Sequence, residues 1–151
     1  MARPALAGAR PAAGRVRAGA DGAPDRPRPE GEVVWLHATQ ESHADAALQL
    51  AERLTAARPG LHLLLTAEAG VAPRQPQTGN VLTTAPPADT AASAQAFLRH
   101  WCPDVCLWTG GRPRAAVLGR AHRQGIALHL VDADESQLSR PGWRWLPDRS
   151  W

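Results

Sequence analysis

The chain has 151 residues, enough for one domain with a sizeable core, and its hydrophobic content of 44% is that of an ordinary globular protein. Seventeen basic and fourteen acidic residues give a net charge of +3. Four Arg and no acidic residue occur in residues 1–20, a pattern that can contact anionic lipid or nucleic acid. We interpret this segment as a solvated tail and expect no nucleic acid partner.

The sequence shows neither a membrane span nor a secretory leader. No apolar run approaches the roughly 20 residues that cross a bilayer. The first 20 residues are interrupted by Arg and lack the apolar core of a signal peptide. Cys102 and Cys106 do not make a disulfide framework, and Cys106 falls in an apolar strand pattern typical of a buried thiol. We therefore expect a cytoplasmic protein.

Three segments differ in composition. Residues 1–31 are rich in Ala, Pro and Arg without periodicity, which predicts disorder because little apolar surface offsets the entropy of ordering. Residues 32–139 alternate apolar and amphipathic stretches and form the predicted domain. Residues 140–151 form a tail with three Trp, for which we expect packing on the domain or on a partner rather than at a membrane interface.

Short apolar runs alternate with helical patterns along the domain. The predicted strands are 33–38, 61–67, 80–86, 104–109 and 126–133. The first helix is predicted to be capped by Ser42, with Asp45 completing a capping-box-like pair, and to stop at Pro59–Gly60. Two more helices are predicted at 91–100, capped by Asp89 or Thr90, and at about 113–123. This alternation predicts an α/β fold: one Rossmann-like domain with a mainly parallel sheet of about five strands flanked by helices.

Ligands of such sheets bind beyond the carboxyl ends of the strands. In this sequence those positions are 37–42, 66–70, 109–112 and 132–136. The sequence has no phosphate-binding glycine motif after the first strand, no nucleophile elbow and no metal-ligand spacing among its His and Cys residues.

Four ordered segments resemble the bacterial 3-deoxy-D-manno-octulosonic acid (Kdo) transferases. WLHATQESHADAAL (35–48) is similar to their W-I-H-A-A-S-V-G-E signature and the helix after it, and LLLTAEAG (63–70) is similar to their L-L-x-T-x-T-x-T-G loop. The segments at 85–108 and 123–139 resemble two later family motifs. The resemblance covers about residues 33–139 and implies the N-terminal, acceptor-side half of a GT-B glycosyltransferase.

The family transfers Kdo from CMP-Kdo to a lipid A precursor in lipopolysaccharide core assembly. The resemblance therefore implies these two substrates, no cofactor, and a cytoplasmic protein in peripheral contact with the inner membrane. The chain ends before a second Rossmann-like domain. We expect it to need a separate C-terminal GT-B domain for a complete active site.

The family's Gly-Glu, whose carboxylate is its candidate general base, falls on Ser42–His43. His43 is the candidate base here, because imidazole titrates near neutrality. Glu41 is a second candidate and Asp45 a third, but either could substitute only after a local shift, since two residues are about half a helical turn and point the group elsewhere. His37 matches the family's His and either contacts substrate or forms structural hydrogen bonds.

The acidic stretch that the family has after its fourth strand is replaced by TGGRPR at 109–114. Gly110 and Gly111 at a strand-to-helix turn, with the charges of Arg112 and Arg114, could bind an anion such as a phosphate or a Kdo carboxylate; the alternative is a flexible turn with solvated Arg side chains. The candidate substrate-binding residues are His37, Thr39, Gln40, Ser42, Gly110, Gly111 and Arg112.

The family's N-A-R-L-S becomes the acidic cluster Asp132, Asp134 and Glu135, which we expect to cap a short helix rather than to bind a metal. Two further functions stay open beside the transferase: a non-catalytic binding module for an anionic sugar or lipid A, and a truncated remnant. Fold resemblance alone does not separate them, because function resides in the site, and whether the chain is an enzyme stays open at this point.

Overall fold

The computed structural model describes residues 26–132, except 75 and 77. The expectations for residues 1–25, for Asp134 and Glu135, and for the Trp-rich tail at 140–151 lie outside the described residues. No helix in the described part of the chain is long and apolar enough to cross a membrane.

Five parallel strands in the described residues form one sheet in the order β3-β2-β1-β4-β5. The strands are β1 (Glu32–Ala38), β2 (Leu61–Ala67), β3 (Val81–Thr84), β4 (Val105–Thr109) and β5 (Ala127–Val131). β3 is shorter than predicted; Pro86 has no N–H to donate to a ladder. β5 also ends early, because Asp132 leaves the extended conformation with φ at 55°. The predicted α/β, Rossmann-like fold class is confirmed.

Three helices flank this sheet in the described residues: α1 (Glu41–Ala57), α2 (Ala91–Trp101) and α3 (Ala115–Arg123). The predicted cap at Ser42 is wrong, because Gln40 is the N-cap of α1 and makes no side-chain cap bond. Burial of α1 against the sheet, rather than a cap, therefore sets where this helix lies. The predicted cap of α2 is confirmed at Thr90, whose hydroxyl accepts the Ser93 N–H.

Each face of the sheet carries its own core. On one face Trp35 and Trp108 pack against α2 and α3, with the Trp35 and Phe97 rings 4.9 Å apart. On the other face a row of small residues on α1 packs against the leucines of β1 and β2. That row consists of Ala44, Ala47 and Ala51. β1 is buried from Val33 to Ala38, and the candidate site residues from Thr39 to His43 follow it directly.

The segment before β1 makes hydrogen bonds at the amino ends of the strands, the edge of the sheet opposite to the one that follows His37. Arg28, which belongs to the segment expected to be disordered, donates to the carbonyl oxygens of Trp101 (2.9 Å) and Cys102 (3.5 Å) at the end of α2. A cation is favoured there by the helix dipole. The Asp104 carboxylate accepts the Val33 N–H at 2.8 Å. These contacts fix where β1 begins. The register of β1 against its neighbours then places His37 near the carboxyl edge of the sheet.

Candidate functional site

Polar side chains gather where β1 and β4 end side by side. The β1–β4 register places His37 opposite Trp108, so Thr39 lies next to Thr109. The Thr39 N–H donates to Thr109 Oγ1 at 3.2 Å, and the Thr39 hydroxyl lies 2.9 Å from the Thr109 carbonyl oxygen. Thr109 Oγ1 in turn donates to the His37 carbonyl oxygen at 2.8 Å. The two strand ends are thus joined by hydroxyl groups beyond the regular ladder.

His37 is fully buried and stacks on the Trp108 indole, with the two ring centroids 4.0 Å apart. Its Nδ1 lies 2.9 Å from Thr66 Oγ1, and its Nε2 lies 3.2 Å from Glu68 Oε1. Burial lowers the pKa of His37 to about 4, although the hydrogen bond and charge of Glu68 oppose this. His37 is therefore neutral at physiological pH.

The two hydrogen-bond partners of the His37 ring determine its tautomer. The Glu68 carboxylate only accepts, so His37 Nε2 carries the proton and Nδ1 accepts from the Thr66 hydroxyl. That hydroxyl also accepts the Trp35 indole N–H at 2.9 Å. With no lone pair left over on the imidazole, His37 has the contacts of a structural group that fixes the end of β1. A substrate-binding role for it stays a prediction.

Arg114, which the sequence offered with Arg112 as a cation for a bound anion, is instead paired with Glu68, a residue that sequence reasoning did not single out. Arg114 Nη2 donates to Glu68 Oε2 at 3.0 Å, and Arg114 Nη1 donates to the Pro87 carbonyl oxygen at 2.7 Å. Burial acts to raise the pKa of Glu68, but the hydrogen bonds from Arg114 and His37 and the charge of Arg114 outweigh it and lower the pKa. The carboxylate is therefore ionised. The pair links the loop after β2 to the start of α3.

His43 lies one helical turn from Thr39, and its side chain is 12% exposed. Its Nδ1 is 3.1 Å from Thr39 Oγ1, and its Nε2 is 2.8 Å from Asp132 Oδ2. Asp132 follows β5 and was predicted only as part of the acidic cluster. Its carboxylate is 74% exposed. The candidate base of the sequence analysis is therefore paired with a carboxylate 89 residues away.

The other candidates around the start of α1 are arranged differently. Gln40, Glu41 and Ser42 are exposed, and their side chains make no hydrogen bond with a described residue. Asp45 forms an ion pair with Arg74 at 3.3 Å. Of the residues considered as bases, the structure thus brings His43 alone into the hydroxyl cluster that contains Thr39 and Thr109.

The turn after β4 approaches the same cluster. Gly110 N–H donates to the Val131 carbonyl oxygen at 3.1 Å, extending the β4–β5 pairing, and Gly111 packs on the Thr39 side chain. A carboxylate of the protein already occupies the N-terminus of α3, because Asp89 accepts the Ala116 N–H at 2.8 Å. Arg112 is exposed and makes no side-chain hydrogen bond or ion pair with a described residue. A role for Arg112 in binding an anion stays a prediction.

Substituting Gly111 with Ala is expected to destabilise the domain by about 2–3 kcal/mol. Gly111 has φ +69°, and an added Cβ would lie 2.7 Å from Thr39 Cγ2. Gly125 has a similar φ of +76° with open space around it, so Gly125→Ala is the matched control and is expected to cost about 1 kcal/mol. Urea unfolding would measure both. Equal losses for the two variants would show that Thr39 is not in contact with Gly111.

Comparisons with known proteins give a match at the level of the family. A family model described as 3-deoxy-D-manno-octulosonic-acid transferase (Kdo transferase) matches residues 13–150. Comparisons with curated proteins and with solved structures give no match. Within the described residues, no three His, Cys, Asp or Glu side chains are grouped so that they could hold a metal ion.

Proposed function

Because the chain belongs to the 3-deoxy-D-manno-octulosonic-acid (Kdo) transferase family through its N-terminal domain, we propose that it supplies the acceptor side of a Kdo transfer reaction. The donor in this proposal is CMP-Kdo and the acceptor is a lipid A precursor of lipopolysaccharide synthesis. The reaction would take place in the cytoplasm, with the protein in peripheral contact with the inner membrane.

The observation that carries the proposal is the placement of His43 at the carboxyl edge of the sheet. Parallel sheets of this class bind ligands at that edge. His43 reaches it from the first turn of α1, next to the hydroxyl of Thr39 and the paired carboxylate of Asp132. An imidazole whose partner carboxylate orients it is the usual arrangement of a general base.

In the proposed step, an acceptor hydroxyl gives its proton to Thr39 Oγ1 while the Thr39 hydroxyl proton passes to His43 Nδ1, 3.1 Å away, and the acceptor oxygen forms a bond to the anomeric carbon of Kdo. The bond between that carbon and the CMP phosphate oxygen breaks, and CMP leaves with the electron pair. The products are the glycosylated acceptor, CMP and an imidazolium that the Asp132 carboxylate stabilises.

Arg112 supplies the charge complementarity for the acceptor in this proposal. Its guanidinium is exposed beside Gly111, within the turn that contacts Thr39. A lipid A precursor carries phosphate groups, and Arg pairs with phosphate through two parallel hydrogen bonds. Gln40 and Ser42, exposed at the start of α1, are proposed to bind sugar hydroxyls on the same edge.

The test is a transfer assay with CMP-Kdo and lipid A precursor, using the purified chain alone and with a Kdo transferase donor domain added in trans. His43→Gln keeps polar contacts but cannot serve as the base at neutral pH. Its turnover is expected to fall by about 10²–10⁴-fold, the usual contribution of a general base. His129→Gln, an exposed substitution in β5, is the matched control and is expected to retain full turnover.

Binding of the lipid A precursor, measured in the same samples, separates the alternatives. Turnover that survives in His43→Gln would overturn the role of His43 and leave the family function intact. Lipid binding without turnover under either condition would instead support the non-catalytic module. Loss of both would overturn both functions and favour the remnant.

A further inference from the structure

We infer that Asp132 is a positioning residue that fixes His43 in one tautomer, with the proton on Nε2 and the lone pair on Nδ1. This inference rests on the proposed function, in which His43 accepts a proton from the acceptor by way of Thr39. Nothing in the spacing of the sequence marks the two residues as partners, and the family signature has its own carboxylate at the His43 position. The pairing is therefore a feature of this chain.

The hydrogen-bond partners of the His43 imidazole determine its tautomer. An ionised carboxylate only accepts, so Asp132 Oδ2 at 2.8 Å requires a proton on His43 Nε2. In the neutral ring the lone pair is then on Nδ1, 3.1 Å from the Thr39 hydroxyl. Without Asp132, nothing among the described contacts of His43 distinguishes the two tautomers, because a hydroxyl can donate to one form and accept from the other.

The Thr39 hydroxyl can bond the His43 ring in both of its protonation states. Its hydroxyl can donate to His43 Nδ1 or to the Thr109 carbonyl oxygen, which lies 2.9 Å away. When Nδ1 gains a proton, that nitrogen donates to Thr39 Oγ1 and the hydroxyl hydrogen turns to Thr109. The change needs no movement of a heavy atom, and each ring nitrogen keeps a partner as long as Asp132 keeps Nε2 protonated.

The backbone of Asp132 lies in the left-handed region, with φ at 55°. Such a conformation is uncommon for residues other than Gly, although Asp tolerates it better than most. It ends β5 where Gly110 N–H is bonded to the Val131 carbonyl oxygen. The Asp132 carboxylate thereby reaches past the end of β4 to His43 on α1.

The experiment is ¹⁵N NMR of the His43 ring at about pH 8.5, well above the ordinary imidazole pKa near 6.5, in the full chain. His43→Gln identifies the signals. The wild-type ring is expected in the Nε2–H form, and Asp132→Ala and Asp132→Asn are expected to give a mixture with the Nδ1–H form. Glu52→Gln, an exposed change on α1, is the control and is expected to leave the tautomer unchanged.

Turnover of the same variants gives an independent reading. Asp132→Ala is expected to lower kcat by about 10²-fold, with KM changed less than about twofold. A wild-type ring in the Nδ1–H form, or one whose tautomer is the same in both Asp132 variants, would overturn the inference whether or not the chain turns over. If the tautomer responds as expected but the chain neither binds nor transfers, the proposed function fails and the positioning role of Asp132 for the ring still stands.

Discussion

Lowering the pH from about 7 to about 4 is expected to cost the folded chain about 3 kcal/mol of unfolding free energy through His37 alone. Burial lowers the pKa of His37 from 6.5 to about 4 in the folded chain. Between these values the unfolded chain binds a proton that the folded chain does not, so stability rises with pH. The stabilisation is complete above about pH 6.5 and is lost as the pH falls toward 4.

Urea unfolding at a series of pH values between 7 and 4 measures this dependence. His37→Gln removes the titrating group, so its slope in that window is expected to be smaller than that of the wild type by up to about 1.4 kcal/mol per pH unit. Glu68 adds to acid sensitivity in the same direction because its pKa is also lowered, and the variant retains the part of that contribution that comes from Arg114. His129→Gln is the control for an exposed imidazole. A His37→Gln slope equal to that of the wild type would contradict the prediction.

Replacing Glu68 with Ala is expected to lower the unfolding free energy by about 2–3 kcal/mol. The substitution removes the acceptor of the buried His37 N–H and the partner of the Arg114 guanidinium, which is only 20% exposed. Glu68 itself is 31% exposed, so water replaces part of what is lost, and the expected cost is below that of a fully buried pair. Thermal and urea unfolding both report it.

A double-mutant cycle separates the ion pair from other effects of the Glu68 substitution. Glu68→Ala and Arg114→Ala together are expected to cost less than the sum of the single variants, since the second change removes a cation that has already lost its partner. Glu52→Ala removes an exposed glutamate on α1 and is expected to change stability by less than about 0.5 kcal/mol. Strict additivity of the two substitutions would show that Glu68 and Arg114 are not coupled.

The sequence was a good guide to the strands, and the physical reason is their burial. β1 and β2 are covered on both faces, so they occur as nearly continuous apolar runs that stand out from the helices. The first residue of α1 was less predictable, because a capping side chain stabilises a helix less than the packing of its buried face does. Ser42 has the right chemistry for a cap, yet the helix begins before it.

The site was predictable in part. Thr39 and His43 are four residues apart and belong to one strand-to-helix turn, so local spacing was enough to place them together. Glu68 pairs with Arg114 across 46 residues, and His43 pairs with Asp132 across 89. Those pairs depend on which strands are neighbours, and alternation of strands and helices does not specify that order. The one available signal was that all four residues occur at or just after the carboxyl end of a strand or at the start of a helix.

The alternation of side chains along β1 limits how this molecule can change over evolutionary time. Trp35 and His37 face α2 and α3, while Val34 and Leu36 face the alanine row of α1. Inserting or deleting one residue in the strand would exchange the two sets, and would direct an indole against a helix that packs closely through methyl groups. The length of this segment is therefore fixed, and the chemistry at its end can change only by replacement of single residues.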